Sequence, residues 1–284
     1  MPLSFKEVTY TYSPDTPYEY QALRGINVNF TLGKITAIIG NTGSGKSTMI
    51  QHLNGLLLPT SGEIEVLDRT IRANEKLKDG KSLKKTVGLV FQFPEYQLFE
   101  ETVLKDVMFG PQNFKVSEEE AKLRAVEALK LVGIPETYLE KSPLELSGGE
   151  KRKVAIAGIL AMEPEILVLD EPVAGLDPQS AQHMMELFRL INQKYHKTVL
   201  LVTHNMEQVL TYCDEVAVVK DGVVIHHGDV KEFFREDEIL DELGIEAPMI
   251  IKAKRLLKQQ NIVIPDEVLD IPSLAKAIAK AVKK

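Results

Sequence analysis

The sequence predicts an α/β fold organised on a mainly parallel sheet, and three observations carry that prediction. Short apolar, β-branched runs recur at Ile35–Ile39, Val87–Phe91, Ile166–Leu169, Thr198–Val202 and Glu215–Val219. Helical periodicity fills most of the intervals, the pattern of strands covered on both faces by crossover helices. A glycine-rich turn follows the first run and a pair of acids follows the third, so polar residues collect where strands end.

Composition narrows the class. The chain has 284 residues; at roughly 150 residues per domain this suffices for about two domains or one large core with an appendage. Its 34 basic and 41 acidic residues give a net charge of −7, the wrong sign for wrapping duplex nucleic acid, and no nucleic-acid partner is expected. The single cysteine, Cys213, cannot close an internal disulfide. The opening MPLSFKEVTY has neither a basic n-region nor an apolar h-region, so the expectation is a cytosolic chain. The longest near-apolar stretch, Val154 to Met162, is about half of the roughly 18 residues that a bilayer crossing needs.

Taken in order, the first 35 residues and Gly62–Ile71 read as short strands with turns, hence a small antiparallel sheet beside the main one. Gly40-Asn41-Thr42-Gly43-Ser44-Gly45-Lys46-Ser47 fits G-x-x-x-x-G-K-[ST] directly after the strand Ile35–Ile39 and before the helical run Thr48–Leu53, the context the motif requires. Its glycines let backbone N–H groups turn inward as an anion nest at a helix N-terminus. Lys46 can reach β- and γ-phosphates, and the Ser47 hydroxyl can ligate Mg²⁺. From about residue 93 to 162 the pattern is mostly helical, a helical insert between two sheet strands. Within it Ser117-Glu118-Glu119-Glu120 is a capping box, and its helix, striped by Ala125, Leu129 and Val132, closes at Gly133. Ser147 and Glu150 form a second S-x-x-E box before the helix Lys151–Met162. Its glycines, Gly148 and Gly149, permit close approach of a phosphate to that helix N-terminus.

The buried strand Ile166–Leu169 delivers Asp170 and Glu171 to the carboxyl edge of the sheet. Asp170 suits the Mg²⁺ side, and Glu171 suits orienting or deprotonating a water for in-line attack on a γ-phosphate. Asp221-Gly222 is a hairpin signal, and a short strand and Lys231–Arg235 finish the core. Residues 1–236 form the expected main domain, with 237–284 a separate helix-rich extension broken at Ala247-Pro248 and Ile264-Pro265. In that extension Ile250, Ala253 and Leu257 share a helical face bordered by Lys252, Lys254, Arg255 and Lys258, while Lys276, Lys280, Lys283 and Lys284 decorate the last helix. The preferred reading is a small docking domain with a solvated basic face; the alternative is contact with a membrane surface. His226-His227 is no metal pair, because adjacent strand residues point to opposite faces, and Met184-Met185 is helix packing.

With Leu146-Ser147-Gly148-Gly149-Glu150 in place, the chain resembles the ATP-binding cassette ATPases, whose L-S-G-G-Q signature it matches except for Glu150. The resemblance implies a P-loop NTPase cassette with a mainly parallel sheet, an N-terminal antiparallel β subdomain, a helical subdomain and a small C-terminal helix-rich extension. It places ATP on Asn41, Thr42, Gly43, Ser44, Gly45, Lys46, Ser47 and Thr48, and Mg²⁺ on Ser47, Gln92 and Asp170, Gln92 being the glutamine loop. It makes His204 the switch histidine at the γ-phosphate and Gly175-Leu176-Asp177-Pro178 the D-loop. Tyr12 becomes the aromatic that stacks on adenine, with Tyr10, Tyr18 and Tyr20 close enough to compete. Cassettes of this family pair head to tail, so Ser147, Gly148, Gly149 and Glu150 are expected to act on a partner's ATP.

Residues 92–103, Phe109-Gly110-Pro111-Gln112-Asn113, Ala155–Gly158 and Ala174–Pro178 look like the energy-coupling-factor transporters of the vitamin and cobalt/nickel importer group, and more like the second of their two ATPase paralogues. That resemblance implies a heterodimer with a sister cassette at the cytoplasmic face of the cell membrane. It further implies a transmembrane coupling protein and, indirectly, a small substrate-capturing membrane subunit. Phe93, Glu95, Tyr96 and Leu98 are the candidate partner-binding residues, with Glu95 able to meet an arginine of a coupling helix. The rival is a soluble cassette ATPase acting on nucleic acid or ribosomes. It is disfavoured by a stretch between Gly40 and Ser147 that carries no heptads and by the presence of one cassette rather than two. A phosphoryl-transfer kinase would leave Leu146–Glu150 unexplained.

Overall fold

The computed structural model describes residues 2–73, 75–77, 79–235, 240–241 and 243–282; the expected boundary at 236–237 and Lys283 and Lys284 lie outside the described residues. Two sheets form. The first is antiparallel, with β1 (Leu3–Tyr12), β2 (Tyr20–Asn29), β4 (Ser61–Val66) and β5 (Arg69–Arg72) in the order β2-β1-β4-β5. The second comprises β3 (Ile35–Ile39), β6 (Val87–Val90), β7 (Ile166–Asp170), β8 (Thr198–Val202), β9 (Glu215–Lys220) and β10 (Val223–Asp229) in the order β10-β9-β3-β8-β7-β6. All its pairings are parallel except the β9–β10 hairpin, which turns at Asp221-Gly222 as expected.

The parallel strands divide their side chains between two cores. Ala37 and Ile39, Leu167 and Leu169, Val199 and Leu201, and Val216 and Val218 face one cluster; Ile38, Ile166 and Val168, Leu200 and Val202, and Ala217 and Val219 face the other. Alternation of Cβ direction explains this, and burial of both faces explains why the runs read as continuously apolar. The second cluster joins the sheet to the antiparallel sheet and to α1 (Lys46–Leu53) and α2 (Gly80–Thr86). The first cluster takes in α3 (Val103–Asn113), α4 (Glu118–Leu131) and α5 (Gly148–Leu160), which pack on one another. It also takes in α6 (Pro178–Tyr195) and α7 (Met206–Tyr212).

Helix ends follow the predicted caps with two differences. α5 starts at Gly148 rather than Lys151, because Ser147 caps it and the reciprocal Ser147–Glu150 box closes the first turn over both glycines. At α4 the box is half formed: Ser117 Oγ accepts from Glu120 N, but the Glu120 carboxylate is held by Arg124 Nε at 2.7 Å. Beyond α8 (Val230–Phe233), the C-terminal segment carries α9 (Met249–Gln259) and α10 (Ile271–Val282). Its Leu240, Ala247, Ile250, Ile251, Ile264 and Leu274 are buried in the same cluster as Met206, Val209, Phe233 and Phe234. The Met249 N–H also donates to Glu207 on α7.

The start of β3, which leads into the phosphate loop, is pinned from α6. Asn192 Nδ2 donates to the carbonyls of Gly33 and Lys197, both at 2.8 Å, and Gly33 N–H donates to Thr198 Oγ1 at 2.9 Å. Asn192→Ala strips a donor from two carbonyls and should cost about 1–3 kcal/mol. The expected readout is a lower urea midpoint with an unchanged slope, and a wild-type midpoint would remove Asn192 from this role.

Candidate functional site

β3 ends in Gly40, where the chain must turn at φ +146°; a Cβ there would sit 2.0 Å from the Val219 carbonyl of the neighbouring strand. A Cβ on Gly45 (φ +106°) would lie 2.8 Å from the Ala22 carbonyl, so neither position admits a side chain. Gly45 caps α1 in the left-handed conformation without any side-chain bond to the helix. The first-turn amides of α1 therefore point into the loop's concavity with the positive end of the helix dipole behind them. Ser44 Oγ is buried and has no hydrogen-bond partner among the described residues. Lys46 Nζ donates to the carbonyls of Gly40 and Asn41, both at 2.8 Å, which stretches the side chain back across the loop. Burial holds its ammonium below the ordinary lysine value, while Glu171 and Asp170 pull the other way.

Three neighbouring strand ends supply the acids and their partners. Asp170, the last residue of β7, is buried and hydrogen-bonded by Ser47; burial lifts its carboxyl above the ordinary aspartate range, against the Ser47 bond and Lys46. Glu171 follows at φ +49° with its N–H bonded to the Val202 carbonyl of β8 at 3.0 Å. Its Oε1 lies 2.9 Å from His204 Nδ1, with Glu171 17% and His204 77% exposed. The Thr203 hydroxyl fixes the turn that carries His204 by accepting from Asn205 N and donating to Gln208 Oε1. Gln92 is exposed two residues beyond the end of β6, which pairs with β7. The buried Asp170 carboxylate and the exposed Ser47 hydroxyl bonded to it form an oxygen donor set that fits a hard divalent cation bound with phosphates.

Two tyrosines touch the loop. Tyr12 OH is 3.2 Å from Thr48 Oγ1, and Tyr20 OH donates to the Gly43 carbonyl at 3.2 Å. Tyr10 packs edge-on against Tyr12 and His52, and Tyr18 is solvent-exposed. Behind the loop, Leu243 and Ile245 of the C-terminal segment join Gly40–Ser44 and Val218–Asp221 around a cavity of about 120 Å³, a contact that periodicity does not reveal. A much larger cleft of about 810 Å³, lined by Arg124, Leu131, Pro164, Tyr195 and Lys197, sits at the opposite ends of β7 and β8 from these acids.

Ser147, Gly148, Gly149 and Glu150 lie elsewhere. No hydrogen bond or ion pair among the described residues joins them to the Gly40–Thr48 loop. Glu150 Oε2 accepts from Ser147 N at 2.8 Å and from Ser147 Oγ at 2.7 Å, and these bonds hold its carboxyl below the ordinary glutamate range. Gly149 faces Leu176 of the Gly175–Pro178 turn, whose Asp177 caps α6 by accepting from Gln179 N and Ser180 N. The segment after Gln92 is a short 3₁₀ turn, Pro94–Gln97, entered through Phe93 at φ +56°. Phe93 (42% exposed) and Tyr96 (85%) present rings to solvent, Phe99 stacks edge-on against Phe109, and Leu98 is partly buried. Glu95 does not face outward: both its oxygens are engaged by Arg152 of the same chain, at 2.8 and 3.0 Å. Burial alone would raise the Glu95 carboxyl, and the Arg152 bonds outweigh it and hold it low.

A family model described as ABC transporter matches residues 23–174. Over 285 aligned residues the chain is 49% identical to the energy-coupling factor transporter ATP-binding protein EcfA2 of Bacillus thuringiensis, covering 100% of this chain and 97% of that protein. The EcfA2 protein of Spiroplasma kunkelii is 51% identical over 97% of this chain and 91% of its own length. Among solved structures, cbiO1 of Clostridium perfringens, described as part of the ABC transporter complex cbiONQ, aligns with a TM-score of 0.73. It is 40% identical, with 89% of this chain and 98% of that one covered. The cassette MJ0796, captured as a post-hydrolysis dimer bound to ADP and Pi, aligns at 0.70 with 33% identity over 80% of this chain and 98% of its own.

The raised carboxyl of Asp170 carries a pH prediction. Its folded pKa exceeds the unfolded one, so the cost of ionising it is borne in full above the folded pKa and vanishes below the unfolded value. Asp170→Asn should therefore melt higher than wild type at neutral pH, with the gap closing toward acid in a thermal melt series; a gap independent of pH contradicts the assignment.

Proposed function

Because the chain belongs to the ABC transporter ATPase family and matches its energy-coupling-factor ATP-binding subunits over the full length, we propose that it works as one cassette of a dimer driving a membrane importer. It binds and hydrolyses ATP. In the proposed arrangement the Gly40–Thr48 loop cradles the phosphates, Lys46 leaves the Gly40 and Asn41 carbonyls to meet the β- and γ-phosphates, and Tyr12 stacks on adenine, with Tyr20 as its neighbour. Ser47 and Asp170, with Gln92, would hold Mg²⁺, which supplies charge neutralisation on the phosphate oxygens when bound.

The observation that carries this reading is the Glu171–His204 pair, set beside Asp170 at adjoining strand ends. Glu171 takes the proton of a water as its oxygen attacks the γ-phosphorus in line. The bond to the β–γ bridging oxygen breaks, and ADP and phosphate leave. His204 orients the carboxylate through Nδ1 and meets the γ-phosphate through the rest of its exposed ring. Ser147, Gly148 and Gly149 face the nucleotide of a sister cassette. Glu150 works by capping, because its carboxylate is folded back onto Ser147.

For coupling, Phe93, Tyr96 and Leu98 form the ridge that meets helices of a transmembrane partner at the cytoplasmic face of the membrane, with Glu95 shaping the ridge from within. The C-terminal extension serves contact between cassettes in a heterodimer, and the cargo class is vitamins or transition-metal ions captured by a further membrane subunit. Among the described residues, no helix is long and apolar enough to cross a membrane; in the proposed arrangement the transmembrane partner supplies the path.

Two experiments test this. Glu171→Gln should bind ATP normally while turnover falls about 10²–10⁴-fold, the share typical of a general base; unchanged hydrolysis removes Glu171 from that role. Affinity capture of the tagged chain from detergent-solubilised native membranes, followed by mass spectrometry, should recover a second cassette and a polytopic membrane protein. Recovery of ribosomes or nucleic-acid factors instead would sink the transport assignment and leave the ATPase standing.

A further inference from the structure

Arg152 stands on α5 two residues beyond Glu150, and only 3% of it is exposed. A buried guanidinium is tolerated only where its donors are met. Nε and Nη2 fork onto the two oxygens of Glu95, Nη1 donates to the Ala174 carbonyl, and the group's face lies 5.6 Å from the Phe93 ring centroid. One side chain thereby joins three segments: the Phe93–Gln97 turn, the helix headed by Ser147, and the turn between Glu171 and Asp177. The last is short and tightly wound. Ala174 N–H donates to the Glu171 carbonyl at 3.1 Å, and Leu176 on the same turn lies against Gly149. The three segments are thus joined through one buried, planar guanidinium whose bonds reach two of them directly.

We propose that Arg152 is a positioning residue that relays movement between the exposed Phe93–Leu98 ridge and the Glu171–Asp177 turn of the nucleotide site. The proposal rests on the docking reading of that ridge. Lysine cannot replace the fork, since a single ammonium cannot hold both Glu95 oxygens and the Ala174 carbonyl in one plane. Nor can a charge-reversed pair, because a glutamate at 152 restores attraction to an arginine at 95 but offers the Ala174 carbonyl no donor.

The relay is read in the full-length chain with an environment-sensitive fluorophore on Gln97→Cys. Gln97 is exposed and the sole native cysteine, Cys213, is buried, so the label goes to one place. With Arg152 in place, Mg·ATP should change the emission in proportion to nucleotide occupancy, which is measured separately by equilibrium dialysis. Arg152→Lys should abolish most of that change while ATP affinity stays within about threefold, as for a residue that touches no substrate. The Glu95→Arg/Arg152→Glu double variant should recover thermal stability relative to Arg152→Glu alone and still lack the emission change. An unresponsive label in the Arg152 protein at saturating ATP overturns the relay, as does a full response in Arg152→Lys or in the double variant. No membrane partner enters this assay. A failed relay is therefore distinguished from a failed transporter assignment, which the affinity capture decides.

Discussion

A parallel strand covered on both faces has nowhere to put a polar side chain except its ends, and the candidate site follows from that restriction. β3, β7 and β8 send successive residues alternately into two apolar cores, so the loop after β3, the acids after β7 and the histidine after β8 share one rim. The parallel register brings them level, with Ile38 beside Val202 and Val202 beside Asp170. Helix α1 then adds its amides at the same rim. A charge displaced one residue inward along β7 would enter hydrocarbon, which fixes the acids' depth more strictly than any local hydrogen bond does.

The second half of the proposed chemistry is kept apart from the first. Ser147–Glu150 heads a helix on the far side of the Ala174–Asp177 turn and makes no polar bond to the phosphate loop among the described residues. The glutamate in place of the family's glutamine is accommodated locally. Two Ser147 donors consume its oxygen, and Lys141, which lies over the Tyr138 ring, adds a favourable charge nearby. The negative charge is thereby spent on the helix N-terminus, where a carboxylate is favourable.

Much of this can be read from residues alone. The buried strands are uninterrupted apolar runs, and the phosphate loop, acids, caps and hairpin sit at fixed offsets from them. The antiparallel sheet is less legible. β1 runs for ten residues, but Glu7 at φ +50° and the register shifts around Val8 break its alternation, so it reads as shorter pieces. Glycine also hides the start of α5: the Ser147–Glu150 box is legible, but the low helical propensity of Gly148 and Gly149 draws the reading to Lys151, whereas the cap starts the helix at Gly148. Contacts between distant positions leave no local trace: Glu171 meets His204 and Glu95 meets Arg152 because of topology, not spacing. A lone glutamate on an exposed aromatic segment invites an external partner, and its internal claimant stands 57 positions away. The amphipathic stripe of the C-terminal helices is readable, while the surface receiving it is not.

Strand order also governs when the molecule can acquire its activity during synthesis. β3, finished by residue 39, is flanked by β8 and β9, which end at residues 202 and 220. A nascent chain that has left the ribosome only as far as α5 can close the antiparallel sheet and associate the α3–α5 helices. Its central strand still lacks both neighbours, and the Gly40 turn lacks the Val219 carbonyl against which it fits. The phosphate loop is encoded early and completed late, so translation must run through most of the gene before any nucleotide can be held.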